Sequence, residues 1–278
     1  MPVLALSKAF MMDLIETEHI DEARPVATAE AGIALFLDFD GTLVEIAPLP
    51  DAVKLDRRVA PALEALRLRL NGALALVSGR PIGFLDTVLE PYRFDAAGLH
   101  GAQIRIDGEI RAQADAPDAM REATRDLVRF ANSHVGIIVE DKRISIALHW
   151  RMASHLKDEA LGLMRAIAAR MGPGVRLQEG KSVAEIVPAG ASKGRAIAWL
   201  MRSPPYAGRV PVFIGDDITD EAGFEAVNAL GGVSIRIGAG ETCATHRLAS
   251  PTDLRAILLT AAEQGGLTLA SFFQASSQ

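Results

Sequence analysis

The residues best suited to chemistry come directly after a short apolar run, Ile33–Leu37. They are Asp38 and Asp40, separated by one residue. An apolar run of this length predicts a strand that is buried on both faces. Because alternate residues of an extended chain point to the same side, both carboxylates are expected at one side of the strand's carboxyl end, where open α/β sheets bind ligands. A loop aspartate followed by a helix cap is the alternative, and an isolated Asp-x-Asp pair would favour it.

Polar side chains also end two later apolar runs and begin one predicted helix. Ser78 follows the apolar run Ala73–Val77, where it is equally compatible with a helix cap. Lys193 stands in the first turn of a predicted helix, where the helix dipole disfavours a cation unless an anion binds there. The run Val210–Ile214 ends in several acids, two of which are four residues apart and would share one face of a helical turn. These acids are Asp216, Asp217 and Asp220.

Together these segments bring five aspartates to one edge of the predicted sheet. Their mutual repulsion would raise some of their pKa values unless a cation compensates for it. Mg²⁺ prefers oxygen ligands and typically takes one or two carboxylates together with a substrate phosphate. The same loops contain no cysteine and no clustered histidine, which disfavours zinc. The sequence therefore predicts a Mg²⁺ site.

The elements that must hold these residues alternate between buried strands and amphipathic helices, the pattern of a mostly parallel sheet. From about residue 114 the predicted order changes to helix, strand, strand, helix, strand, strand, which indicates an inserted α+β layer. The predicted fold class is α/β, with a Rossmann-like core and a smaller inserted α+β domain. Asp56 is expected to cap a helix over Arg57–Leu70, and Ser192 the helix that contains Lys193. The predicted parts are an N-terminal extension (1–30) with a peripheral helix around Leu4–Glu18, the core (31–113 and 188–278) and the inserted domain (114–187).

Composition limits the possible partners. Hydrophobic residues make up 49% of the chain and charged residues 23%, as in soluble globular proteins, and the net charge of -6 argues against nucleic acid or an anionic membrane. No apolar run reaches membrane-spanning length, and the chain does not begin with the pattern of a signal peptide. The single cysteine, Cys243, cannot form an intramolecular disulfide, which fits a reducing compartment. We therefore expect a cytoplasmic, monomeric protein that acts on a small molecule.

The string Asp38-Phe-Asp-Gly-Thr-Leu43, followed in order by Ser78, Lys193 and the acids after Gly215, resembles the motifs of the haloacid-dehalogenase (HAD) superfamily. Most members of that superfamily are Mg²⁺-dependent phosphatases that form a phospho-aspartate. The resemblance implies a nucleophile (Asp38), a general acid and base (Asp40) and two phosphoryl contacts (Ser78 and Lys193), with Lys181 as the rival for the lysine. The implied metal ligands are Asp38, Asp216 and the backbone carbonyl of Asp40, with Asp217 and Asp220 holding metal-bound waters.

A closer resemblance, over roughly Ala31 to Leu259, is to the trehalose-6-phosphate phosphatase family. It is carried by Leu76-Val-Ser-Gly-Arg80, Gly98-Leu-His-Gly-Ala102, Val139-Glu-Asp-Lys142, Ala147-Leu-His-Trp-Arg151, Gly180-Lys-Ser-Val-Ala-Glu185 and Gly215-Asp-Asp-Ile-Thr-Asp-Glu221. Trp150 and Leu99 depart from the tyrosine and alanine that are common there, and neither departure touches the chemistry. The resemblance implies a stand-alone phosphatase that hydrolyses trehalose 6-phosphate. The implied substrate-binding residues are Arg80, His100, Glu140, Lys142, Arg151, Lys181 and Glu185.

Two other functions stay open from the sequence. Another sugar phosphatase, such as one acting on sucrose phosphate, would carry the same motifs, and a catalytically inactive sugar-phosphate sensor would share the fold. Intact Asp38, Asp40, Lys193 and Asp216 argue against the sensor. A dinucleotide-dependent oxidoreductase is disfavoured, because no Gly-x-Gly-x-x-Gly follows the first strand. The inserted strands are dense in polar residues, among them His149, and these form either a solvated face or a surface that binds hydroxyls.

Overall fold

The computed structural model of the protein describes residues 32–47, 53–113 and 119–273. The chain divides into two compact units. The smaller one contains Ala112–Ala191, and the larger one contains the described residues up to Arg111 and from Ser192 onward. The helix predicted around Leu4–Glu18 lies outside the described residues. The boundaries predicted for an inserted domain and an N-terminal extension stay predictions.

The helices and strands of the described ranges follow in chain order. The strands are β1 (Ile33–Leu37), β2 (Leu74–Val77), β3 (Asp95–Gly98), β4 (Gln103–Ile106), β5 (Glu109–Gln113), β6 (Ile138–Asp141), β7 (Ile146–His149), β8 (Val175–Gly180), β9 (Val183–Pro188), β10 (Val210–Gly215), β11 (Val233–Ile237) and β12 (His246–Leu248). The helices are α1 (Val59–Arg69), α2 (Ile82–Val88), α3 (Met120–Ser133), α4 (Lys157–Met171), α5 (Lys193–Leu200), α6 (Glu221–Ala229), α7 (Pro251–Gln264) and α8 (Leu269–Phe273). Short 3₁₀ turns cover Leu99–Gly101, Ser154–Leu156 and Ile218–Asp220.

The larger unit is built on a sheet in the strand order β12-β11-β10-β1-β2-β3-β4-β5. From β12 to β3 the neighbours pair in parallel, and β3 pairs antiparallel with β4. Every residue of β1 is buried, as expected of an apolar strand covered on both faces. Leu37 is the register partner of both Ile214 on β10 and Leu76 on β2. Because these three strands end at the same level, the residues that follow them meet at one edge of the sheet.

The smaller unit contains an antiparallel sheet in the order β6-β7-β9-β8. One face of this sheet packs against α3 and α4 in a hydrophobic core that includes Leu148, Ile186 and Met164. Side chains alternate along a strand, so Glu185 lies next to Ile186 but on the opposite face. The predicted fold class is confirmed: a mostly parallel central sheet is accompanied by a separate small antiparallel sheet.

One predicted helix cap is wrong, and another is right only in position. Helix α1 has Arg58 at its N-cap, because Asp56 closes a turn before the helix and accepts the backbone N–H of Arg58 at 3.0 Å. Ser192 occupies the N-cap of α5, but its side chain makes no capping hydrogen bond. The short elements β12 and α8 are not predicted, because three or five residues show too little periodicity. None of the described helices combines the length and the apolar composition that crossing a bilayer requires.

Candidate active site

At the carboxyl end of β1, a buried lysine joins two aspartates from different parts of the chain. Lys193, the first residue of α5, places its Nζ 2.8 Å from Oδ1 of Asp38 and 2.6 Å from Oδ1 of Asp220. The exposed fraction is 4% for Asp38, 3% for Lys193 and 0% for Asp220, so water screens these charges only weakly. The lysine that is unfavourable at a helix N-terminus is therefore stabilised by carboxylates of the protein itself.

Burial and crowding shift the pKa values of these groups. Loss of hydration, and then repulsion from Asp220, raise the pKa of Asp38 well above its usual range, and Lys193 only partly offsets this. Burial alone would lower the pKa of Lys193, but attraction to Asp220 and Asp38 raises it above its ordinary value. The lysine therefore stays charged, whereas Asp38 needs further positive charge nearby to act as an ionised group.

Asp216 adds a third carboxylate from the end of β10. A Cβ on Gly41 would overlap Oδ2 of Asp216, so the close approach of this carboxylate requires glycine. The φ of +78° at Gly41 also favours glycine. Burial, followed by repulsion from Asp220, raises the pKa of Asp216 to about 7. Within the described residues, Oδ1 of Asp216 is buried without a hydrogen-bond partner. A buried polar atom of this kind indicates a missing partner such as an ion.

The three carboxylates fit a hard cation. One oxygen each from Asp38, Asp216 and Asp220 lie within 4.8 Å of one another. Divalent cations such as Mg²⁺ bind carboxylate oxygens, and among the described residues Oδ1 of Asp216 has no hydrogen-bond partner. Asp220 is already engaged by the protein, because its Oδ2 also accepts the backbone N–H groups of Asp216 and Asp217 at 3.1 and 3.0 Å. Asp38 and Asp216 are therefore the better candidates for direct ligands.

The acidic loop after β10 forms a capped turn. Asp217 is the N-cap of the 3₁₀ turn Ile218–Asp220, and its Oδ1 accepts the N–H of Ile218 at 2.8 Å. The side chain of Asp220 accepts the backbone N–H of Asp217 in return, which completes a capping box. The observed role of Asp217 is thus to shape the loop that carries Asp216, and its predicted contact with metal-bound water stays a prediction.

Asp40 belongs to a second group, at the ends of β1 and β2. Arg80 holds it in a bidentate ion pair, with Nε and Nη2 donating to Oδ2 and Oδ1 at 2.7 and 2.8 Å. The guanidinium carbon of Arg80 lies 4.5 Å from the ring centre of Phe84, which adds a cation–π contact. The backbone N–H of Arg80 donates to Oγ of the buried Ser78 at 3.1 Å. Because Oγ accepts this bond, the hydroxyl proton of Ser78 is available to donate to a ligand.

His100 lies in a strained turn beside Ser78. Leu99 and His100 both have left-handed backbone angles, with φ of 50° and 57°, which are unfavourable for residues with a Cβ. The turn is held because His100 donates its N–H to the carbonyl of Ser78 at 2.9 Å and Leu99 donates to that of Arg80 at 3.0 Å. Strain maintained in this way is concentrated at ligand sites, so His100 stays a candidate for substrate binding.

In the smaller unit, polar side chains form a continuous group on the face of the sheet opposite its core. Lys142 donates to Oε2 of Glu185 at 2.9 Å, and its Nζ lies 3.9 Å from Oε2 of Glu140. The hydroxyl of Ser145 donates to Oε1 of Glu185 at 2.6 Å, and Nε2 of His149 lies 3.1 Å from Oε2 of Glu140. These residues, Glu140, Lys142, Ser145, His149 and Glu185, are termed the polar cluster.

Arg151 and Lys181 lie at the end of the small sheet that carries His149, away from the turn of Lys142. Both are exposed and occupy turns, Arg151 two residues after the end of β7 and Lys181 between β8 and β9. The register His149–Val183–Gly180 places these turns at one end of the sheet, whereas the turn that carries Lys142 is at the other end. The structure therefore groups only part of the predicted substrate-binding set.

The sequence profile of the trehalose-phosphatase family matches residues 36–255. The trehalose-6-phosphate phosphatase of Escherichia coli (strain K12) is 44% identical to this chain over 226 residues, which cover 81% of the chain and 84% of that protein. The chain belongs to the trehalose-phosphatase family. The resemblance inferred from its motifs is thereby confirmed.

Solved structures place this family member within the HAD fold. The crystal structure of a trehalose-6-phosphate phosphatase related protein has a TM-score of 0.70 at 26% identity and covers 84% of this chain and 98% of that one. A phosphatase of the HAD superfamily from Bacteroides thetaiotaomicron has a TM-score of 0.57 at 16% identity, covering 86% of this chain and 97% of that one. At this identity the second likeness concerns the fold alone.

Sequence reasoning for this trehalose-phosphatase family member missed several contacts of the site. In the sequence, Ser145 has the appearance of an ordinary turn residue. Only the register of β7 and β9 places it beside Glu185. Arg176 donates to Oε1 of Gln178 and to the carbonyl of Ala191, both at 2.7 Å. Gln178 is the register partner of Glu185, so this pair extends the polar face. The alternation of polar residues along β8 was the available signal.

Proposed function

We propose that this chain hydrolyses trehalose 6-phosphate to trehalose and phosphate through an aspartyl-phosphate on Asp38. The observation that carries the proposal is the buried Asp38–Lys193 pair, with Asp216 beside it, in a chain of the trehalose-phosphatase family. A nucleophile held next to a fixed cation suits phosphoryl transfer, because the cation stabilises charge that the reaction concentrates there. The name of the Escherichia coli relative supports trehalose 6-phosphate as the substrate.

In the first step, a carboxylate oxygen of Asp38 attacks phosphorus. The bond between phosphorus and the sugar oxygen breaks, and its electron pair stays on the sugar oxygen. Asp40, which takes up a proton from water once the phosphoryl group has displaced Arg80, donates that proton to the sugar oxygen, so trehalose leaves as an alcohol. Lys193 balances the negative charge of Asp38 and the phosphoryl group, and the hydroxyl of Ser78 donates to a phosphoryl oxygen.

In the second step, water attacks the phosphorus of the aspartyl-phosphate. Asp40 takes a proton from this water, and the bond between phosphorus and Asp38 breaks, which releases phosphate and restores both carboxyl groups.

Arg80 connects substrate binding to proton transfer by Asp40. The planar guanidinium group of Arg80 can donate two parallel hydrogen bonds to phosphoryl oxygens as well as to a carboxylate. A bound phosphoryl group therefore competes with Asp40 for Arg80 and releases Asp40.

Mg²⁺ is the metal that we propose for the acidic cluster. When bound, it supplies positive charge that lets two anions approach and that stabilises charge on the phosphoryl oxygens. Its proposed ligands are Asp38, Asp216 and the backbone carbonyl of Asp40. Asp217 and Asp220 are proposed to hold metal-bound water, and Asp220 also braces Lys193.

Removing divalent metal with EDTA is expected to abolish phosphate release, and adding Mg²⁺ is expected to restore it. The reason is that Asp38 and Asp216 are crowded, and Asp216 keeps an unpaired buried oxygen that a cation would satisfy. Ca²⁺ is expected to inhibit, because its looser coordination shell does not hold the octahedral geometry of Mg²⁺. The measurement is phosphate release from dialysed protein during a metal titration. Full activity in metal-free buffer would overturn the metal assignment.

The substrate is tested by a phosphate-release screen over trehalose 6-phosphate, sucrose phosphate and glucose 6-phosphate, each with and without Mg²⁺. We expect the highest kcat/KM for trehalose 6-phosphate. A preference for sucrose phosphate would assign the chain to a different sugar phosphatase. Binding of sugar phosphates without any phosphate release would support the sensor instead.

Discrimination between sugars is proposed to come from the polar cluster. The residues proposed to act at the end of β1 would contact phosphoryl oxygens and metal, and the phosphoryl oxygens are the same in every phosphate monoester. Two carboxylates and an ammonium group in the polar cluster suit the hydroxyls of a disaccharide, and groups built for a hydroxyl reject a substrate that lacks it. We propose accordingly that the smaller unit is a substrate-recognising cap domain inserted at residues 114–187, with Arg151, Lys181 and His100 as further contacts.

Glu185→Gln is expected to lower kcat/KM for trehalose 6-phosphate by about tenfold, because a hydrogen bond to a charged group contributes about 1.5–3 kcal/mol. Glutamine keeps the volume of this buried residue but removes the charge that orients Lys142. The measurement is the ratio of kcat/KM for trehalose 6-phosphate to that for p-nitrophenyl phosphate. Glu179→Gln is the matched control, since Glu179 is on the adjacent strand and its register partner Ala184 is in the core. An equal fall for both substrates in Glu185→Gln would reject the recognition role.

The substrate is a small sugar phosphate, and neither nucleic acid nor a membrane takes part. We propose that the protein acts as a monomer in the cytoplasm.

A further inference from the structure

The geometry points to His149 as a positioning residue for substrate recognition: it holds the carboxylate of Glu140 in place, so that the polar cluster is preformed for sugar hydroxyls. This inference rests on the proposed function and adds to it a residue that the implied substrate-binding set does not contain. His149 acts through Glu140 and not on the reacting atoms.

The register of the small sheet brings the two side chains together. Ile138 on β6 is the register partner of His149 on β7, and Glu140 follows two residues later on the same face of β6. Diagonal neighbours of this kind are within reach of long side chains. Nε2 of His149 lies 3.1 Å from Oε2 of Glu140, which is hydrogen-bond distance when Nε2 carries the proton.

Within the polar cluster, His149 is better placed than Lys142 to hold Glu140. Nζ of Lys142 donates to Glu185 at 2.9 Å but is 3.9 Å from the same oxygen of Glu140, which is beyond hydrogen-bond distance. Ala147 stands directly between the two carboxylates, as the register partner of Glu140 on one side and of Glu185 on the other. The hydrogen bond from His149 favours one rotamer of Glu140 beside this alanine, and ordering a flexible glutamate in advance lowers the entropy cost of binding a ligand.

The position of His149 separates it from residues that serve only the fold. Its chain neighbours Leu148 and Trp150 are in the hydrophobic core of the smaller unit, whereas His149 points to the opposite face. Its side chain is 24% exposed and that of Glu140 is 22% exposed. Both are thus partly shielded from water, and a hydrogen bond between them is screened less than one on an open surface.

A double-mutant cycle on the full-length protein tests the inference. His149→Leu removes the hydrogen bond, His149→Gln keeps a donor near the same place, and Glu140→Gln removes the charge that the donor orients. We expect His149→Leu to lower kcat/KM for trehalose 6-phosphate by about tenfold, mainly through a higher KM, and His149→Gln to recover most of the loss. In the Glu140→Gln background, His149→Leu is expected to add little, because residues that act through one contact are not additive. His134→Leu is the matched control: it removes a 2.8 Å bond to the carbonyl of Phe130 elsewhere in the smaller unit.

The outcomes separate the inference from the proposed function. Additive losses in the cycle, or a fall in kcat at unchanged KM for both trehalose 6-phosphate and p-nitrophenyl phosphate, would show that His149 only supports the fold. The same change in KM from His134→Leu would also overturn the inference. If wild-type protein releases phosphate from p-nitrophenyl phosphate but not from trehalose 6-phosphate, the proposed function fails, and the assignment of His149 fails with it.

Discussion

Asp38→Asn is expected to lower phosphate release from trehalose 6-phosphate by about 10⁴-fold or more, as removal of a covalent nucleophile does in other enzymes. The amide is a poor nucleophile and cannot form the aspartyl-phosphate. The fold is expected to survive, because the ionised form of Asp38 is disfavoured by burial and by Asp220, and asparagine removes that repulsion. Lys193 keeps its contact with Asp220 in the variant.

Two measurements check this expectation. Phosphate release in Mg²⁺ gives the loss of turnover, and thermal unfolding in EDTA is expected to give a midpoint at or above that of the wild type. Asp95→Asn is the control, because Asp95 is also partly buried at a strand of the same sheet but bonds to Tyr206 and to the backbone of Asp107. It is expected to keep its activity. Phosphate release from purified Asp38→Asn near the wild-type rate would contradict a mechanism with an aspartyl-phosphate on Asp38.

Lys193→Met is expected to remove activity and also to lower the free energy of unfolding by about 3–5 kcal/mol, the usual effect of breaking a buried ion pair from one side. Methionine matches the length of lysine but leaves Asp38 and Asp220 without their shared cation, at exposed fractions of 4% and 0%. The measurement is a urea titration followed by circular dichroism in metal-free buffer, together with phosphate release in Mg²⁺.

The control for this variant is Lys157→Met. Lys157 is likewise the first residue of a helix, α4, but it is exposed, so the substitution is expected to change stability by no more than about 0.5 kcal/mol. Adding Asp220→Asn to Lys193→Met is expected to restore part of the stability, because one of the two repelling charges is removed. Wild-type stability of Lys193→Met would mean that the lysine does not compensate the buried carboxylates.

The strand that ends at Asp38 is the element that the sequence determines best. Its bounds, Ile33–Leu37, agree with the structure, because a continuous apolar run is a local signal that needs no knowledge of neighbouring strands. The hairpin β4–β5 has an equally local signal, because Asp-Gly pairs favour tight turns and Asp107 and Gly108 both adopt positive φ in its turn. Helix starts are less certain: Asp56 forms a turn of its own, and a cap and a turn use the same side-chain chemistry.

Partners that are distant along the chain are decided by the tertiary structure. Arg80 and Asp40 are separated by 40 positions, and no local pattern indicates that the arginine predicted to bind substrate also pairs with the proposed general acid. Lys193 and Asp220, 27 positions apart, meet because β1 and β10 are neighbours in the sheet and α5 begins at the same edge. Strand order is a property of the whole core, since it depends on which apolar faces cover one another.

The sequence by itself therefore determined which reactive groups this protein has at its strand ends. Its aspartates and serine follow buried apolar runs, and its lysine begins a helix. Residue type and the length of the apolar runs are enough to locate such groups. Only the tertiary structure decided which charges pair. The two acids Glu140 and Glu185 belong to one cluster because β7 lies between their strands, whereas Arg151 and Lys181 occupy turns at the opposite end of the sheet from Lys142. The physical reason is that side-chain alternation is local, whereas register and strand order arise from pairing and packing across the whole domain.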